Sequence, residues 1–203
     1  ATGSGVDLYN ITITNGAAIP ATADDSESVC PAGVCEFIVS NALNDDAYTL
    51  GVDAQDNATN VSGQSRILFQ VDTIAPGAPP LVFPANDAFL NNLPPTFNAR
   101  PRFDWEQATG DPYDYQIQVV VSGDSFTSGN FVLDTIVLHP TTEFQPSADL
   151  ADGGYDWRVI SRDRAVNAAP SETRTFTVDT LAPEPPAAQV SPSKGAFIND
   201  ATP

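Results

Sequence analysis

Three oxygen-bearing residues occur as a set twice: Asp56, Asn60 and Asp72, then Asp163, Asn167 and Asp179, each 107 residues further on. Carboxylate and amide oxygens gathered this way are the ligands a hard cation such as calcium takes. The same residue types cap turns by bonding to their own backbone. Neither an EF-hand spacing nor a glycine-rich nonapeptide accompanies them, so the set reads either as cation ligands or as turn caps. No cofactor is expected to be required, and calcium is the ion considered for this set.

Cys30 and Cys35 lie close together with no histidine nearby, too few ligands for zinc. They read as a local disulfide, which implies an oxidising compartment, or as a reduced pair in a cytosolic protein. Asn10, Asn57 and Asn60 each open an acceptor sequon for N-glycosylation. Asn10 is expected to point outward, because Tyr9, Ile11 and Ile13 take the inward face of a strand. His139 is the single histidine, set beside Pro140 at a strand end, and no nucleophile elbow accompanies it. Adjacent carboxylates are frequent only because Asp is, so no acid/base pair stands out and the chain reads as non-enzymatic. Trp105 and Trp157 alternate with apolar neighbours, which favours burial over a sugar-stacking platform.

The charge narrows the partners. Eight Lys and Arg stand against 26 Asp and Glu, a net charge of −18, and Lys194 is the only lysine. Such a polyanion repels nucleic acid and anionic lipid surfaces unless divalent cations bridge. The acidity suits solubility in a salty or calcium-rich exterior.

The elements that must position these residues are themselves repeated. Tyr48 to Pro76 realigns without a gap on Tyr155 to Pro183, with 11 of 29 positions identical. A repeat of about 100 residues is a whole domain. Ala1-Thr2-Gly3 realigns on Ala108-Thr109-Gly110, and Ala196-Phe197-Ile198-Asn199 echoes Ala88-Phe89-Leu90-Asn91. The chain is therefore expected to be a window on a longer polypeptide. The expected domains are residues 1–75, a β-sandwich lacking its first strands; 76–182, a complete sandwich; and 183–203, the start of a third repeat. Period-two alternation at Phe103/Trp105, Tyr115/Ile117/Val119/Val121, Tyr155/Trp157/Val159 and Phe176/Val178 predicts half-buried strands, and no helical stripe competes. The expected class is all-β, with Leu8 to Thr14 opening the first copy as an exposed edge strand.

Arg100-Pro101-Arg102-Phe103-Asp104-Trp105, Tyr115-Gln116-Ile117-Gln118-Val119, Leu150 to Val159 and Phe176 to Thr180 resemble the bacterial fibronectin type III and Ig-like tandem repeats of large, adhesin-like surface proteins. The resemblance implies tandem sandwiches joined by short Pro-rich linkers, at Val71 to Pro80 and Val178 to Pro186. It implies a core anchored by Trp105, and a tyrosine corner at Tyr155 with Tyr48 as the first-copy equivalent. It also implies calcium at the joints, through Asp56, Asn60, Asp72, Asp163, Asn167 and Asp179.

The expected function is a structural module of an extracellular or cell-surface protein: an adhesin stalk, a surface layer or a filament. Its partners would be neighbouring repeats or other copies of the chain, with assembly by strand complementation, and cell-surface glycans or proteins. The alternative is a carbohydrate- or protein-binding accessory module of a secreted hydrolase. The outward positions Asn10, Thr12, Gln116, Gln118, Asp156 and Arg158 carry no aromatic that would favour a sugar. No nucleic acid and no membrane insertion are expected for this segment.

Overall fold

The computed structural model describes residues 5–16, 18–24, 42–91, 99–185 and 195. Cys30 and Cys35 lie outside the described residues, and so does the expected disulfide.

Every regular element among the described residues is a strand. In chain order these are β1 (Val6–Thr14), β2 (Ala18–Asp24), β3 (Asp46–Asp56), β4 (Ser65–Val71), β5 (Leu81–Phe83), β6 (Ala88–Leu90) and β7 (Phe103–Trp105). There follow β8 (Asp114–Val121), β9 (Phe131–Leu138), β10 (Glu143–Phe144), β11 (Gly153–Arg162), β12 (Ala168–Pro170) and β13 (Arg174–Val178). Among the described residues no helix is long and apolar enough to cross a membrane.

The chain divides into two compact units. One comprises residues 1–76 with 162–168, the other 77–161 with 169–203.

In the first unit a four-stranded sheet runs β2-β1-β3-β4. β1 pairs antiparallel with β2 on one side and with β3 on the other. The expectation that Leu8 to Thr14 forms an exposed edge is corrected here. The short connection after Thr14 folds β2 back onto β1 and uses up its open side, and among the described residues the edges are β2 and β4. Ile11, Ile13 and Tyr48 are buried.

In the second unit one sheet runs β6-β13-β11-β8-β9, with β12 beside β11, and a three-stranded sheet runs β10-β7-β5. The two share one core of Leu81, Leu90, Phe103, Trp105, Tyr115, Ile117, Val119, Tyr155, Trp157, Val159, Phe176 and Val178. β11 alternates buried and half-buried residues strictly after its first two, the pattern of a strand with one face on a core. Trp157 is fully buried, its ring 5.1 Å from that of Phe103. Trp105 packs edge-on against Tyr115 at 5.5 Å. Two sheets enclosing one apolar core make a β-sandwich.

Candidate functional site

Three local devices occur at matching places in the two copies, a fourth belongs to one joint, and together they bring in most of the residues singled out in the sequence. The first is the turn after the long strand. Asp56 N donates to the Asn60 carbonyl at 3.0 Å, and Asp163 N to the Asn167 carbonyl at 3.1 Å. The Asp56 carboxylate accepts from Ala58 N at 2.9 Å, Asn60 N at 2.9 Å and Asn60 Nδ2 at 3.0 Å. The Asp163 carboxylate accepts from Asn167 N and Nδ2, both at 2.9 Å. Each carboxylate thus holds donors of its own turn, which is the capping geometry of a loop Asp. The fourth residue of each turn has a left-handed backbone, Thr59 at φ 67° and Val166 at φ 69°. Both are β-branched and pay for that conformation with steric strain.

The two asparagines differ in one bond. Within the first compact unit, Asn167 Nδ2 also donates to the Asp72 carbonyl at 2.9 Å. Asp72 and Asp179 use their own carboxylates to cap the following residues, Ile74 N and Leu181 N, each at 3.1 Å. Among the described residues, no three His, Cys, Asp or Glu side chains come together as a metal-binding group.

The second device is a clamp that the sequence reading missed. Thr73 N and Oγ1 donate to Asp45 Oδ1 at 3.0 and 2.9 Å. Thr180 N and Oγ1 donate to Asp152 Oδ1 at the same 3.0 and 2.9 Å. The clamp ties the end of the last strand to the start of the long strand beside it. The signal that would have found it is the 107-residue spacing from Asp45 to Asp152 and from Thr73 to Thr180.

The third device is the tyrosine corner. Tyr48 Oη donates to the Asn44 carbonyl at 3.0 Å, and Tyr155 Oη to the Ala151 carbonyl at 2.8 Å. Burial raises the Tyr155 phenol above its ordinary pKa, and neighbouring Asp152 raises it further. Tyr115 is likewise raised by burial, although Ala108 N donates to its Oη at 3.0 Å and opposes the shift.

The fourth device is the linker. In the second unit Gly77 N donates to the Thr109 carbonyl at 2.9 Å, and Ser161 Oγ donates to the Gly77 carbonyl at 2.7 Å. A Cβ on Gly77 would collide with Thr109 Oγ1, so the backbone approaches more closely than a side chain permits. At the next joint the corresponding residue is Glu184. The two linkers are therefore alike in proline but not in this contact.

Of the sequons, Asn10 Nδ2 donates to Asp53 Oδ1 at 2.7 Å and Asn60 Nδ2 to Asp56, while Asn57 is exposed. His139 is half-buried at the end of β9, its ring 6.3 Å from that of Tyr115. On the outer face of the second unit Arg158 lies 4.3 Å over the Phe126 ring and donates to Gln118 Oε1 at 2.9 Å. Burial lowers the Arg158 pKa, and Asp134 pulls it back up. Phe126 comes from the loop after β8, so strand alternation had no means of placing it there.

Residues 91–180 match the bacterial Ig-like domain family. One solved structure shares the fold. The chain resembles the FN1–FN3 domains of chicken CNTN1 with TM-score 0.57 and 14% identity over 86% of this chain and 56% of that one. It thus spans a little over half the length of that structure. Fibronectin(III)-like modules of Clostridium thermocellum CbhA give TM-score 0.48 and 16% identity over 89% and 82%. A tetra-tandem repeat in the extending region of a large adhesion protein gives 0.37 and 16% over 88% and 44%. No curated protein matches the chain. The fold is an all-β fibronectin type III/Ig-like sandwich, and the strands, corner and clamp recur in tandem.

Proposed function

We propose that the chain is a non-catalytic stretch of tandem β-sandwich repeats from a long extracellular surface protein, in which the repeats serve as stalk or spacer. The observation that carries the reading is the clamp, Thr73 on Asp45 and Thr180 on Asp152 with matching distances. It fastens the strand through which tension passes to the next repeat, and it is built at the same place in each copy. The match of residues 91–180 to the bacterial Ig-like domain supports a surface location. The acidic composition keeps such an array soluble, and the reading needs no cofactor.

Single-molecule pulling on the chain tests it. The second unit is expected to resist and then give way in one event. At about 3.5 Å per residue, a repeat releases roughly 35 nm of chain. Smooth extension at low force without such an event would contradict a load-bearing role. Antibodies raised against the chain should label intact cells of the source organism, and labelling only after lysis would contradict the surface location.

A further inference from the structure

The larger sheet of the second unit carries two aromatic rings on its outer face. β6 pairs parallel with β13, placing Ala88, Phe89 and Leu90 opposite Phe176, Thr177 and Val178. Leu90, Phe176 and Val178 belong to the core, and side chains alternate between the faces of a strand, so Phe89 and Thr177 look outward. Phe89 is 80% exposed. A single surface aromatic needs no explanation, but this one has company. Thr177 is paired with Gly154 of β11, and Arg158, four residues further along the same face, lies against the ring of Phe126 at 4.3 Å. Two strand spacings across and four residues along put Phe89 and Arg158 roughly 16 Å apart.

Between the two rings the surface is low and polar. Gly154 has no side chain, and a Cβ there would crowd that of Ser122 at 3.3 Å. Ser122 Oγ and Gly123 N donate to the Asp156 carboxylate at 2.9 and 3.0 Å, which fixes its position on the sheet. Arg158 Nε donates to Gln118 Oε1 at 2.9 Å, and among the described residues nothing accepts from the Nη groups. The face thus offers two aromatic rings, a fixed carboxylate and a pair of open donors.

We propose that this outer face binds a neutral, ribbon-like polysaccharide of equatorially linked hexoses, one sugar ring lying on Phe89 and the chain running to the end built by Phe126 and Arg158. The C–H face of a hexose is apolar and carries slight positive charge, so it meets the negative face of an aromatic ring. Its hydroxyls both donate and accept, which suits a carboxylate beside a guanidinium. A flat sheet face suits an extended chain better than a compact ligand. Asp134 and Asp156 attend Arg158 in a chain of net charge −18, which turns away acidic glycans and leaves neutral ones. The outward positions legible in the sequence carry no aromatic, and that counted against a sugar. Phe89 and Phe126 remove the objection: β6 is too short for alternation to reveal, and Phe126 comes from a loop. The inference goes beyond the spacer reading and does not rest on it.

Amide chemical shifts of the 203-residue chain, titrated with cellohexaose and with mannohexaose to millimolar levels, test it. Shifts are expected at Phe89, Gly154, Asp156 and Arg158 with at least one of the two sugars. Phe89→Ala and Phe126→Ala are each expected to weaken binding about tenfold, the effect of losing one stacked ring. Val82→Ser removes a 50% exposed apolar side chain on the other sheet and is expected to bind as the parent does. Hexamannuronate has the outline of mannohexaose with a carboxylate on every ring, and it is expected to leave these amides unmoved. Thermal unfolding of the second unit, unchanged in the variants, shows that any loss is not misfolding.

The proposal is overturned if neither sugar moves these amides, or if both alanine variants bind undiminished. Equal binding of hexamannuronate overturns it as well. So do shifts of the same residues that follow protein concentration without sugar, which would assign the face to a second copy of the chain.

Discussion

β1, β3 and β4 in the first unit and β8, β11 and β13 in the second are one motif built twice, in two surroundings. In the second unit β5, β7 and β10 form a facing sheet and β6 lies along β13, and the motif's inward residues are fully buried. Among the described residues of the first unit, β2 is the only strand added to the motif, and Leu50, Phe69 and Val71 are half-buried. Yet the corner, the capped turn, the clamp and the strand register are the same in both. These devices join residues within one pair of neighbouring strands, so a local stretch of sequence suffices to set them. Burial depends on strands far away along the chain, and it is burial that differs.

The largest effect that sharpens this comparison comes from truncating the equivalent central residues. Trp157→Ala empties a fully buried site and is expected to cost the second unit about 3–5 kcal/mol. Leu50→Ala, at the matching position, is expected to cost the first unit about 1–2 kcal/mol. Urea unfolding of each variant measures the gap, and equal costs would break the comparison. Next come the linkers. Gly77→Ala forces Thr109 aside and is expected to destabilise the second unit by about 1–3 kcal/mol. Exposed Glu184→Ala is expected to stay within about 0.5 kcal/mol of the parent.

The clamp is expected to behave alike in the two copies. Thr73→Val and Thr180→Val each remove one hydroxyl bond to a carboxylate and leave the backbone bond, at a cost of about 1 kcal/mol. Unequal losses in thermal unfolding would show that the surroundings, not the hairpin, set the clamp's worth. The smallest effect is a gain. Thr59→Gly and Val166→Gly relieve a left-handed backbone at a β-branched residue. Each is expected to stabilise its unit by up to about 1 kcal/mol after the added freedom of the unfolded chain.

Much of the fold was legible because period-two alternation is a local signal. Tyr155, Trp157 and Val159 point to one face from their spacing alone, and the 107-residue offset carries Tyr155 back to Tyr48. The Asp56 and Asp163 sets were legible as residues but not as geometry, since a cap and a cation ligand differ only in where nearby N–H groups point. The clamp escaped notice because Asp45 and Thr73, neighbours at one end of the strand pair, lie 28 residues apart in the sequence. Gly77 reads from sequence as one more linker residue, and its close approach to Thr109 exists only in the folded unit. The edge was misplaced on Leu8 to Thr14 because nothing in alternation told that β2 folds back on β1 and becomes the outer strand on that side.

Amide hydrogen exchange at the two equivalent last strands, in the chain diluted to its lowest measurable concentration, tests the central claim most directly. The amides of Thr175, Thr177 and Asp179 face β6 and are expected to exchange slowly. Those of Leu68, Gln70 and Asp72 face outward from β4 and are expected to exchange fast. Equal protection of the two sets at the lowest concentration would contradict the account, because β4 would then already be covered within a single chain.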